Sequence, residues 1–193
     1  MQISNDRYFY DRRRHDLALR MIHHEARTCT IRSCTGLTDD RIRRLYKTYV
    51  SHLASGPLRR RRGKSPRQVA FFIRNTRAQL ESSLLASTFT VFGLLHADAK
   101  AAEPIEFGRL FCDAFETHLQ LLGDAEISFE HAWFLLQLLR RSGDLRAVRC
   151  RHCDSQYLQH RVGGCRRSCP VCTLKRVGLH ERCRRWTNSP RSD

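Results

Sequence analysis

Apolar residues along this chain recur mostly at helical spacing. Leu17, Met21 and Ile22 fall on one face of a segment over residues 12–27, and Ala18, Ile22 and Ala26 extend that face. From Thr38 onward, Ile42, Leu45, Tyr46 and Tyr49 follow the i, i+3, i+4, i+7 stripe of an amphipathic helix. Residues 68–95 predict one long helix whose buried face is led by Phe72, Leu80, Leu84 and Phe92, helped by Phe71, Ile73 and Leu85. Leu110, Phe111, Ala114, Phe115, Leu119 and Leu122 predict another over 105–122. A last helix over 128–142 places Phe129, Ala132, Trp133, Leu136 and Leu139 inward, with Ser128 or Asp124 as its cap. Phe and Leu stripes of this kind make core rather than ligand sites. Residues 1–10 read as a loose polar start, 54–68 as a basic loop and 98–104 as a linker. Only Gln156-Tyr157-Leu158-Gln159 reads as a strand.

The stretch from Thr28 to Val50 carries more information than its hydrophobicity alone. A short segment, Thr28 to Thr35, is broken at Gly36; Thr38 is then a good N-cap, and Asp39 and Asp40 complement the dipole of the following helix. Arg41, Arg43, Arg44 and Lys47 occupy the faces of that helix away from its apolar stripe. Helix, glycine-containing turn and basic amphipathic helix is the layout of a helix-turn-helix, whose last helix enters the major groove. A surface helix with arginines on its wet face gives the same pattern.

Charge separates the chain into zones. Its 193 residues carry a formal net charge of +16. Residues 1–62 hold 15 Lys/Arg against 6 Asp/Glu, residues 63–139 hold 6 against 9, and residues 140–193 hold 14 against 4. Most of the basic residues are arginine, whose planar fork suits phosphate and guanine. Two basic ends around a non-basic middle point to nucleic acid as the polyanion. The run Arg59, Arg60, Arg61 and Arg62 cannot pack together unpaired, so it is solvated or lies on phosphates. No apolar run approaches the length of a membrane span, and the polar first twenty residues do not resemble a signal peptide. With no leader and an odd cysteine count, the expected location is the reducing cytoplasm.

Four of the nine cysteines form two CxxC pairs, Cys150/Cys153 and Cys169/Cys172. Two residues between thiols let one tight turn aim both sulfurs at a common centre, and a second turn completes a tetrahedron. Zn²⁺ favours this four-sulfur set, which leaves no open position for catalysis, so one structural zinc is expected. Arg149, Arg151, Arg161, Arg166, Arg167, Lys175 and Arg176 surround the pairs and favour the thiolate form. Cys165, Cys183, His152 and His160 are not expected to be ligands, and Cys29, Cys34 and Cys112 read as small buried hydrophobes in helices.

Catalysis finds no support. No Ser/His/Asp set, carboxylate pair or Gly-rich phosphate loop stands out, and His23-His24-Glu25 lacks the HExxH spacing. An RNA-binding or ribosome-associated zinc-ribbon protein would share the charge and the zinc. Such modules usually expose aromatics for base stacking, whereas the aromatics here fall mainly on apolar stripes.

GLTDDRIRRLYK, the Gly/Pro loop GPLRRRRGKSPRQ, FFIRNTRAQLESSLLASTF, RLFCDAFETHLQL, FEHAWFLLQLL and the double CxxC occur here in that order. Over roughly residues 15–175 the chain resembles the FlhC family, the zinc-binding subunits of bacterial FlhD–FlhC flagellar activators. The resemblance implies a mainly α fold: a helical bundle with a helix-turn-helix-like N-terminal part and a small C-terminal zinc-ribbon-like module. It implies Cys150, Cys153, Cys169 and Cys172 as ligands of one zinc. It also implies assembly with FlhD, as a heterohexamer in the family, on double-stranded promoter DNA with RNA polymerase. The expected organisation is a helical domain over 1–145 for DNA and partner binding, a zinc module over 146–177 and a basic tail over 178–193. The expected DNA contacts are Arg41, Arg43, Arg44, Lys47 and Arg59 to Arg62.

Overall fold

A computed structural model of the chain describes residues 2–52, 66–96, 103–141, 143–162 and 168–176. Six α-helices are followed by a β-hairpin: α1 (Gln2–His23), α2 (Thr28–Thr35), α3 (Asp39–His52), α4 (Thr76–Val91), α5 (Pro104–Leu122), α6 (Phe129–Arg140), β1 (Leu145–Arg149) and β2 (Gln156–His160). A 3₁₀ turn, Val69–Ile73, precedes α4, and a last short helix covers residues 170–176.

Local chemistry sets most boundaries. Glu25 takes a left-handed φ of 56° just beyond α1. Gly36, at φ 65°, ends α2, and its N–H returns to the Arg32 carbonyl at 2.8 Å. L side chains rarely take that conformation, so the break falls at the glycine. Arg14 of α1 reaches the same place and donates from Nε to the Thr35 carbonyl at 2.6 Å. Thr38 caps α3 through the Arg41 N–H, and Ser128 caps α6 through the His131 N–H.

Two expected boundaries move. Residues 2–10 are helical and belong to α1, rather than forming a loose start. The helix expected over 68–95 is broken: Asn75 accepts the Ala78 N–H at 2.7 Å and restarts the chain as α4. That restart turns the face expected to be buried. Leu85 and Phe89 are fully enclosed, while Leu84 and Phe92 are only partly covered.

One core unites all six helices. Met21 and Ile22 of α1, Ile31 of α2, Ile42 of α3, Phe89 of α4, Phe111 of α5 and Leu135 of α6 all lose their solvent exposure there. Phe111 stands edge-on to Phe129, with ring centres 4.9 Å apart. Leu145 and Leu158 of the hairpin enter this same core. A smaller cluster of Cys150, Tyr157 and Cys169 lies beyond it.

α1 and α5 are braced by charge. Arg20 grips Glu116 with two parallel hydrogen bonds of 2.8 and 2.6 Å and reaches Asp113 at 2.6 Å. His24 adds a contact to Glu116 at 2.8 Å. The Arg20 hydrogen bonds, aided by His24, hold the Glu116 carboxyl down to about 2 although burial opposes them. A carboxylate depressed in the folded state contributes stability above its unfolded value near 4.5, and that contribution fades as pH falls towards 2. Glu116→Gln should therefore lower the melting temperature at neutral pH. The gap to the wild type should close as the pH of the melts is stepped from 5 to 2.

Close helix approach rests on Gly108. A Cβ there would stand 2.7 Å from Cys34 Cβ and 2.9 Å from Leu17 Cδ2. Gly108→Ala should cost about 1–3 kcal/mol by overpacking, despite alanine's better helix propensity, as read from denaturant midpoints at constant m-value.

Candidate metal centre and nucleic-acid interface

The first CxxC pair occupies the turn of the hairpin. β1 and β2 pair antiparallel with Arg149 opposite Gln156, so the residues between them form a knuckle. The Cys150 N–H donates to the Ser155 carbonyl and the Asp154 N–H to the Cys150 carbonyl, both at 3.0 Å. Asp154 closes the knuckle at a left-handed φ of 56°, a region Asp tolerates better than most residues, and its carboxylate holds Arg149 at 2.6 Å. The second pair begins at Cys169, where Pro170 opens the short helix over 170–176 and Thr173 N–H returns to the Cys169 carbonyl at 3.0 Å.

These two turns bring four sulfurs together. The Sγ atoms of Cys150, Cys153, Cys169 and Cys172 all lie within 4.8 Å of one another. Cys153 and Cys169 are 3.5 Å apart, and Cys150 and Cys172 are 3.9 Å apart. A tetrahedral ion with bonds of about 2.3 Å to sulfur sets each edge at about 3.8 Å. The donor set and its spacing therefore fit a four-thiolate ion, and the cluster could hold a metal.

Backbone groups prepare the cluster for an ion. Cys150 Sγ accepts N–H groups from Cys169 at 3.3 Å and His152 at 3.4 Å, and Cys169 Sγ accepts that of Cys172 at 3.4 Å. The Cys169 N–H leads in drawing the Cys150 thiol down to about 6. The Ser155 hydroxyl, 3.3 Å from Cys153 Sγ, lowers that thiol as well. Cys172 moves the other way, to about 12, chiefly through its hydrogen bond with Cys153. Four crowded thiols cannot all ionise beside one another without a cation, so the split follows from their proximity.

The neighbouring imidazoles stay out of the cluster. His152 is exposed, and its Nε2 lies 2.7 Å from an Arg176 nitrogen. His160 Nδ1 accepts the Val162 N–H at 3.2 Å. Burial raises the Cys34 and Cys112 thiols to about 12 in the helical core, as the sequence suggested for these two. Cys29 departs from expectation, because α2 turns it outward and leaves it exposed. Cys165, Cys183, Arg166 and Arg167 lie outside the described residues.

The basic helix has the expected division of faces. Ile42 and Tyr46 are buried, while Arg41, Arg43, Arg44 and Lys47 are exposed. The Tyr46 hydroxyl donates to the Ala26 carbonyl and anchors α3 to the end of α1. Asp40 holds Arg43 at 2.7 Å, and Asp39 holds Arg32 at 3.1 Å. Two of the acidic residues that cap the helix thus also restrain its neighbouring cations. Arg59 to Arg62 lie outside the described residues. Within the described residues no helix is long and apolar enough to cross a membrane.

Sequence reasoning missed the aromatic residues at the start of α1. Tyr8, Phe9 and Tyr10 are 65%, 55% and 43% exposed. Three adjacent aromatics in a supposed loop gave no periodic signal, and the helix itself would have been needed to reveal them.

No curated protein matches the chain significantly. The family described as flagellar transcriptional activator (FlhC), a family of activators rather than enzymes, matches residues 5–183. That span takes in the helix-turn-helix-like pair, the polyaromatic core and all four clustered cysteines, and this chain belongs to the FlhC family.

Proposed function

We propose that this chain is a DNA-binding subunit of a flagellar transcriptional activator. It acts in the cytoplasm with FlhD, in a heterohexamer, at class II flagellar promoters, and recruits RNA polymerase to them. The observation that carries this reading is α3: an anchored helix behind a glycine turn, with Arg41, Arg43, Arg44 and Lys47 exposed along it, in a member of an activator family. An ordered helix can present arginine forks to base edges, whereas the arginine run at 59–62 serves as a phosphate contact.

One zinc, held by Cys150, Cys153, Cys169 and Cys172, gives the C-terminal part its structure. Four thiolates close the coordination sphere, so the ion shapes the hairpin and the short helix and activates no water. Residues 1–145 then serve DNA and partner binding, residues 146–177 form the metal module, and 178–193 add a basic tail. The exposed Arg151, Arg161, Lys175 and Arg176 make the module a second basic zone.

Gel shifts on flagellar promoter DNA, with and without FlhD, test the reading directly. Specific binding should need both proteins. Arg44→Ala or Lys47→Ala should cost about 1–3 kcal/mol on the promoter and much less on random duplex at the same salt. Equal losses on both duplexes would remove α3 as the reading helix.

Metal analysis should find one zinc per chain. Replacing any of the four cysteines with serine should abolish it and melt the module, since structural zinc contributes on the order of 10 kcal/mol to such small folds. A metal-free chain with an unchanged melt and unchanged DNA binding would count against this assignment.

A further inference from the structure

The N-terminal part of α1 is exposed from Arg7 to Tyr10. Arg14 marks the level of the α2 end, where its Nε meets the Thr35 carbonyl. A dozen residues of α1 precede Arg14, about 18 Å of helix at 1.5 Å per residue. On that extension Tyr8, Phe9 and Tyr10 belong to neither apolar cluster. Tyr8 and Phe9 touch each other edge-on at 6.1 Å, and Arg14 lies 5.7 Å from the centre of the Tyr10 ring.

Angular spread decides what kind of surface could cover them. Successive helical residues turn by about 100°, so three adjacent rings span about 200° of the helix. A single facing helix covers a much narrower stripe. The rings need a groove formed by at least two elements, into which the helix inserts.

Charge decides the chemistry of that groove. In a chain of net charge +16, three of the four arginines that flank the rings are already paired, Arg7 being the exception among the described residues. Arg12 lies 3.7 Å from Asp16, Arg13 lies 3.5 Å from Glu106, and Arg14 lies 3.4 Å from Asp11. A phosphate-binding surface would hold most of its cations free, as α3 does with Arg41, Arg44 and Lys47 among the described residues. Largely neutralised cations beside bare aromatic rings suit an apolar protein surface, and Tyr and Arg are among the residues that most often anchor one.

We infer that the N-terminal part of α1 is a docking arm, and that Tyr8, Phe9 and Tyr10 insert into an apolar groove on a partner protein subunit. This rests on the functional reading above, under which that subunit is FlhD. The Phe and Leu residues that lead the stripes of α4, α5 and α6 enter the chain's own core.

The test uses the full chain and FlhD, with affinity measured by calorimetry and assembly by size exclusion. Tyr8→Asp with Phe9→Asp should weaken FlhD binding about tenfold or more, the scale of one or two anchor side chains. The melting temperature of the free chain should not change, since the rings touch no core. Tyr8→Leu with Phe9→Leu keeps the arm apolar and should retain most of the affinity. Wild-type affinity in the aspartate pair overturns the arm, and so does a lowered melt of the free chain. Loss of DNA binding without FlhD would make the arm a nucleic-acid contact. Changed self-association with FlhD binding intact would make it a contact between copies. A wild-type chain that ignores FlhD overturns both the arm and the reading it rests on.

Discussion

Two hydrogen bonds between α4 and the backbone of Leu158 fix where the sulfur cluster stands. A two-stranded hairpin is marginal alone, and its open edge carries unpaired N–H and C=O groups. Leu158 is buried, so leaving its pair unmade would cost about 1–3 kcal/mol for each group. Gln79 Nε2 donates to the Leu158 carbonyl at 2.7 Å, and the Leu158 N–H donates to Ser83 Oγ at 3.0 Å. These side chains lie four residues apart, on one helix face, and act as a third strand. Ser83 completes the set by donating to the Gln79 carbonyl at 2.5 Å. Polar residues are therefore buried on α4 where an apolar stripe would otherwise be expected.

Pairing redistributes the charge that composition suggests. The carboxylates of α5 look unremarkable as a count, yet Glu106, Asp113 and Glu116 face the arginines of α1 and take up Arg13 and Arg20. Arg109 shares Glu106 and Asp113 with them. Among the described residues, α3 keeps Arg41, Arg43, Arg44 and Lys47 exposed, with Asp39 and Asp40 beside them. Residue counts along the sequence locate basic zones, and the contacts between helices determine which arginines within them remain available.

What was legible in the sequence was local. The CxxC pairs specify turns, and turns of that size converge their sulfurs whatever surrounds them. Thr38, Ser128 and Gly36 mark helix ends through chemistry confined to one turn, and the α3 stripe repeats often enough to be unambiguous. The α4 face was not legible. Leu80 and Leu84 outrank Ser83 on any hydrophobic scale, and the distant strand at Leu158 explains why Ser83 faces inward. Asn75 carried a boundary signal that the strong apolar run around it obscured. Cys29 turned outward for a related reason: α2 is short, with Ile31 and Cys34 already filling its buried side.

Because Leu145 and Leu158 share a core with the six helices, the hairpin and the bundle do not fold as separate accounts. Anything that binds the folded sulfur cluster and not the unfolded chain raises the stability of the whole protein by mass action, about 1.4 kcal/mol for each tenfold rise in free ion above its dissociation constant. Proteases in a cell sample the unfolded fraction, so if the cluster holds a metal the steady-state abundance of the chain would follow the supply of that metal. An ion held only for architecture would thus become a ceiling on how many copies of the regulator persist.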